Sequence, residues 1–170
     1  IIKKIIIKKK TKILDIGCSP AEILNYLPKV EYYGYDINPI YISYAKKKYK
    51  SKGTFFCKKF NHADTKRLPK FDYILLFGIL HHLKNNKADK LLRTLKKVLK
   101  NKGKIVSIDN IYLKQQNAIA KFFIKIDRGQ NVRTKEGYLN LLKAHFKKIN
   151  SKIYHQTFIP YTWFVAKSQN

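Results

Sequence analysis

The chain has 170 residues, 45% of them hydrophobic, which suits one globular domain with a full core. Its formal net charge is +27, and no apolar stretch approaches the ~20 residues that a bilayer span needs. Two cysteines, Cys18 and Cys57, stand at no metal-type spacing and give no disulfide framework, so a reducing cytoplasm is the expected setting.

The charge has two readings. An anionic partner such as RNA would account for it, and so would a lysine-rich coding bias. Of the 37 basic residues only Arg67, Arg93, Arg128 and Arg133 are arginine, and the lysines are spread along the whole chain. Base reading and bidentate phosphate contacts favour the planar arginine fork, so compositional bias is the preferred reading and RNA the less favoured one. The opening IIKKIIIKKK is too short in its apolar runs for a signal segment. The chain contains no methionine and starts on isoleucine, so the expectation is a natural product that begins upstream.

The elements alternate as a parallel α/β sheet requires. A buried strand is predicted over residues 12–16, followed by a small-residue turn and a helix over 21–27 that Pro28 stops. The β-branched and aromatic stretch 30–35 reads as a strand ending at Asp36. Asn38 and Pro39 then fit an N-cap and first helical position for a helix to residue 49. A third strand covers 54–57, and the chain runs as loop to Pro69. FDYILLF, residues 71–77, has the unbroken apolar character of a central strand covered on both faces.

Leu91, Leu92, Leu95, Val98 and Leu99 recur at helical spacing across residues 86–99, and Asn101-Lys102-Gly103 reads as a turn into a strand over 104–108. Residues 114–126 form an amphipathic segment, part of an insertion over about 112–133 that ends in the polar loop 127–133. Thr134 is expected to cap a helix to residue 146 with Glu136 in its first turn, and two strands near 150–157 and 162–167 to pair antiparallel across Pro160.

Four stretches carry chemistry. Asp15-Ile16-Gly17-Cys18-Ser19-Pro20-Ala21 joins a strand to a helix start, where unpaired backbone N–H groups and small side chains admit a ligand. Asp36, followed by Ile37, closes the second strand and can accept bonds from ribose hydroxyls. Asp64-Thr65 lies in the loop after the third strand, and the fourth strand runs on through Phe77-Gly78 to His81-His82.

In this order and spacing the motifs resemble the class I S-adenosylmethionine-dependent methyltransferases, over essentially the whole chain. The resemblance implies a Rossmann-like, doubly wound, seven-stranded sheet, mostly parallel with an antiparallel C-terminal edge. It implies a single domain, present as monomer or homodimer, that binds S-adenosyl-L-methionine and releases S-adenosyl-L-homocysteine. Asp15, Gly17, Cys18, Asp36, Ile37, Asp64, Thr65, Phe77 and Gly78 would line the cofactor. Either His82 or His81 could serve as a base, and Arg128 or Arg133 could bind an acidic group of the acceptor. No metal is expected. Where the family more commonly carries glycine this chain has Ser19 and Ala21, and a positive φ at Ser19 would cost about 1 kcal/mol or more. A small-molecule acceptor is the leading expectation, motivated by the stand-alone catalytic core. An RNA acceptor and a non-catalytic cofactor-binding domain stay open beside it.

Overall fold

A computed structural model describes residues 10–116, 122, 124, 130–155 and 162–170. The strands are β1 (Lys12–Ile16), β2 (Glu31–Asp36), β3 (Gly53–Cys57), β4 (Phe71–Phe77), β5 (Leu99–Tyr112), the short β6 (Arg133–Thr134), β7 (Lys148–His155) and β8 (Thr162–Gln169). The helices are α1 (Pro39–Tyr49), α2 (Asn85–Lys96) and, after β6, α3 (Lys135–Lys143).

Seven strands lie in the order β3-β2-β1-β4-β5-β8-β7, and β6 pairs with β5 off that path. From β3 to β5 the ladder is parallel, whereas β8 pairs antiparallel with both β5 and β7. This is the expected α/β architecture with its antiparallel C-terminal edge. Successive residues of β1 point to opposite faces, so Ile13 and Leu14 enter two separate cores. On one face Ile13 meets Ile42 and Ala45 of α1; on the other Leu14 joins Leu92 and Leu95 of α2 and Tyr138 of α3. Coverage of both faces explains why β4 reads as a nearly unbroken apolar run.

The topology also places a crevice. The chain leaves β1 toward β2 and β3, then crosses back to β4 on the other side of β1. At such a switch point the loops beyond the carboxyl ends of adjacent strands diverge and leave room for a ligand.

Among the boundaries that differ from the sequence expectations, three change an element most. Residues 21–27 form no α-helix, only a 3-10 turn over Glu22–Asn25 that buries no residue. Ala21 enters it with φ 58, a left-handed conformation that cannot propagate a right-handed helix. The fifth strand starts at Leu99 rather than Lys104: Leu99 pairs with Phe71, and the register then shifts so that Lys104 faces Tyr73. The Asn101–Gly103 turn therefore survives as an irregularity within the strand. Finally, α3 stops at Lys143, three residues short of Phe146. Of the insertion, residues 117–121, 123 and 125–129, including Arg128, lie outside the described residues, as do residues 1–9 and the Pro160 junction.

Candidate active site

The turn after β1 is held to the end of β2 by its own backbone. Gly17 and Cys18 both donate their N–H to the Tyr35 carbonyl, at 2.7 and 3.0 Å. Ser19 donates its N–H to Asp36 Oδ2 at 2.9 Å, and Ala21 donates to the Cys18 carbonyl at 2.8 Å. Every N–H from Gly17 to Ala21 therefore has an acceptor within the chain, Pro20 having none to give. The expected free donors at a helix start are not there. At Gly17 φ is 72 and an added Cβ would collide with the Ile79 side chain, so the missing side chain makes room for the turn after β4. Ser19 and Ala21 hold φ of 50 and 58, so the glycine-like backbone is kept without glycine.

Asp36 is the hinge of this arrangement. Its second carboxylate oxygen accepts the Asn38 N–H at 2.8 Å, while Asn38 in turn caps α1 by accepting from Ile40 and Tyr41. A carboxylate has about four lone-pair sites, so two remain to face a ligand. Beside it is a cavity of about 350 Å3, lined by Gly17, Asp36, Ile37, Phe60, Ile79 and His82 among others. Asp36 ends β2, and the other five come from the loops after β1, β2, β3 and β4. Four loops converge where the topology leaves a crevice.

Asp15 and Cys18 lie behind the turn. Asp15 is 3% exposed; Tyr32 donates its hydroxyl to Asp15 Oδ2 at 2.6 Å, and Oδ1 is buried without a partner. Burial pushes the Asp15 carboxyl up to about 7 despite the Tyr32 donor. Burial likewise raises the Cys18 thiol far above its ordinary range, so at neutral pH it stays an unreactive thiol, packed against Gly34.

Asp64 is buried too. Lys58 pairs with its Oδ1 and Asn61 donates its N–H to Oδ2, closing a capping box over the 3-10 turn His62–Lys66. Thr65 donates its hydroxyl to the His62 carbonyl at 2.7 Å. Lys58 and Phe60, rather than Asp64 or Thr65, line the cavity on this side.

After β4, Phe77 is half-buried and Gly78 takes φ 72 while donating its N–H to the Ile108 carbonyl at 2.7 Å. The two histidines then part company. His81 is 4% exposed and directs both its backbone N–H and its ring Nδ1 at Asp109 Oδ1, at 3.0 and 2.9 Å. His82 is exposed and lines the cavity, its ring 4.3 Å from that of His81.

Arg133 reaches this turn from the start of β6. Its guanidinium donates to the carbonyls of Leu80 (2.7 Å), Leu83 (2.6 Å) and Asn131 (3.1 Å) and to Asn85 Oδ1 (2.9 Å). Those donors are turned onto the chain itself and not toward a ligand. Four of its five N–H groups are used in this way.

Asp109, Tyr32, Lys58 and Phe60 had escaped the motif reading. A carboxylate late in an otherwise apolar strand, at its carboxyl end, is the one signal that points to Asp109 from sequence. Among the described residues no group of His, Cys, Asp and Glu could hold a metal ion, and no helix is long and apolar enough to cross a membrane.

A Rossmann-like sheet with a cavity at its switch point and an acid at the end of the second strand defines the nucleoside-cofactor class of α/β proteins. Within it, a methyltransferase domain model matches residues 14–105, more than half of the chain, and the protein belongs to that methyltransferase family. No curated protein matches the sequence significantly.

Solved structures agree on the fold. A protein of Nostoc punctiforme assigned to the O-methyltransferases is 19% identical, with a TM-score of 0.72 over 94% of this chain and 52% of its own. Mitomycin 7-O-methyltransferase MmcR is 15% identical, with a TM-score of 0.71 over 95% of this chain and 49% of its own. The plantazolicin methyltransferase BamL, solved with a triazolic desmethylPZN analogue and SAH, is 16% identical, with a TM-score of 0.72 over 96% and 78%. The chain spans about half the length of the first two.

Proposed function

We propose that the protein transfers a methyl group from S-adenosyl-L-methionine to a small-molecule acceptor. The observation that carries this reading is the cavity at the switch point, where Gly17, Asp36, Phe60 and His82 converge from the carboxyl ends of four strands and the loops after them. Its residues fit the cofactor. Asp36 keeps acceptor capacity for a ribose diol, Ile37 and Phe60 supply apolar walls for a purine, and Gly17 lines the crevice beside them. The mitomycin and plantazolicin enzymes, both named for small-molecule acceptors, support the same choice of substrate class.

When bound, the cofactor supplies a methyl already activated by its sulfonium, for direct displacement by the acceptor. The chain then has two tasks. The first is alignment, which alone can be worth ~7–11 kcal/mol for well-oriented reactants. Asp36 and the rigid turns at Gly17 and Gly78 fix one partner, and the cavity wall at Ile79 and His82 meets the other. The second is proton removal where the acceptor must lose one, worth roughly 10²–10⁴-fold. His82 faces the cavity and is the base in this reading; His81, tied to Asp109, positions it. Asp15 acts from behind the turn, Asp64 through Lys58, and Phe77 from beneath Gly78. Arg133 holds the His81-His82 turn, which leaves Arg128 as the candidate for an acidic group on the acceptor.

Incubation with methyl-labelled S-adenosyl-L-methionine and fractionated metabolites tests the reaction. The expected result is label in a small molecule together with S-adenosyl-L-homocysteine. Label recovered only in RNA would replace the acceptor class, and S-adenosyl-L-homocysteine binding without any transfer would reduce the protein to a cofactor-binding domain.

A further inference from the structure

A second cavity, of about 480 Å3, adjoins the first and shares the Lys59, Phe60, Leu83 and Leu91 walls with it. One side is the turn after β3, with Lys59 and His62; the other is a face of α2. Lys87, Lys90, Leu91 and Thr94 stand at i, i+3, i+4 and i+7, so a single stripe of that helix lines the cavity. Ala88, Leu92 and Leu95 occupy the flanking stripe of the same helix and are buried in the core. Lys59, Lys87 and Lys90 are exposed and border the same space.

None of the lining residues is acidic. The nearby carboxylates are already engaged: Asp64 pairs with Lys58, and Asp89 pairs with Arg93 and His145. Among the described residues Lys59, Lys87 and Lys90 take part in no ion pair. Like charges on one helix face oppose each other, and a multivalent anion between them relieves that repulsion. Ammonium groups serve as point charges for phosphate oxygens and do not need the planar geometry of arginine. The volume lies in the small-molecule range of ~300–1,000 Å3.

We propose that this cavity is a second binding site, for the di- or triphosphate group of a small ligand, with Lys87, Lys90 and Lys59 as its cationic walls. The inference does not depend on the methyl-transfer reading.

The test is calorimetric titration of the full chain with inorganic triphosphate at physiological salt. Two double variants remove the same charge: Lys87→Gln/Lys90→Gln in the cavity, and Lys46→Gln/Lys47→Gln on the exposed face of α1. Glutamine is as good a helix former as lysine, so both variants should fold, and thermal melts verify it. The expected result is one saturable site, weakened at least about tenfold by the cavity variant and changed less than about twofold by the α1 variant. Equal weakening by both variants would show attraction to net charge alone and overturn the proposal. So would the absence of saturable binding. A parallel titration with S-adenosyl-L-homocysteine separates the two readings: triphosphate binding can fail while the homocysteine binds, or the reverse.

Discussion

Two turns meet at the carboxyl edge of the sheet, and they are held in opposite ways. The turn after β1 is shaped by backbone: three residues with positive φ, Gly17, Ser19 and Ala21, and N–H groups that all bond within a few residues or to the neighbouring strand end. The turn after β4 is shaped by side chains from far along the chain. Asp109 grips His81 from 28 positions away and Arg133 grips the Leu80 carbonyl from 53. The contact between the turns is Ile79 resting on Gly17. A backbone-built turn tolerates changes that respect φ, whereas a side-chain-built turn fails when one distant residue is lost.

That contrast sets the order of expected effects. Arg133→Ala should be the most damaging, because three carbonyls lose a charged donor at once. At about 1–3 kcal/mol per unsatisfied group, discounted for partial exposure, the loss is about 3–5 kcal/mol by denaturant unfolding. Arg133→Lys should recover only part of it, since an ammonium cannot span the fork. A loss below about 1 kcal/mol would mean the turn holds itself.

Asp15 gives the second effect, and it depends on pH. The unfolded carboxyl titrates near 3.8 and the folded one near 7. Between those values the folded chain keeps a proton that the unfolded chain has lost, so stability is full below about pH 4, falls as pH rises, and is lowest above about pH 7. Asp15→Asn mimics the protonated form. It should match the parent at pH 4 and exceed it by on the order of 2–4 kcal/mol at pH 8. Parallel pH profiles of the two proteins would remove burial as the cause.

Gly17→Ala comes next. A left-handed alanine costs about 1–2 kcal/mol and the clash with Ile79 adds to it, for a total of about 2–3 kcal/mol. Adding Ile79→Ala should relieve the clash and leave the φ cost, a partition that melting curves can read. Ser19→Gly should act in the other direction. Ser19 is exposed with φ 50, so glycine relieves about 1 kcal/mol of strain, a rise of about 2–4 °C in Tm. A fall in Tm would show that the serine side chain contributes more than its backbone costs.

The same contrast explains what could be read from the sequence. The β1 turn, Asp36 and the β4 run were legible because each is a local pattern whose chemistry lies within a few residues. The parallel α/β sheet followed from their alternation. The fate of the turn's N–H groups was not legible: the pattern promised free donors at a helix start, but the positive φ at Ala21 admits only a 3-10 turn and Tyr35 and Asp36 take up three of the four bonds. Nor were the roles of His81 and His82 separable, since Asp109 decides which one is anchored. Arg133 was expected among ligand contacts for its charge. Its position at β6, beside the end of β5, turns that charge inward.

The central claim is that the switch-point cavity binds the methyl donor through Asp36. Calorimetry with S-adenosyl-L-homocysteine on the parent chain and on Asp36→Ala tests it most directly. The account predicts one site per chain in the parent and a loss of about 10–100-fold in the variant, as expected for hydrogen bonds from a diol to a charged acceptor. No binding to the parent chain, or equal binding to both proteins, would contradict it.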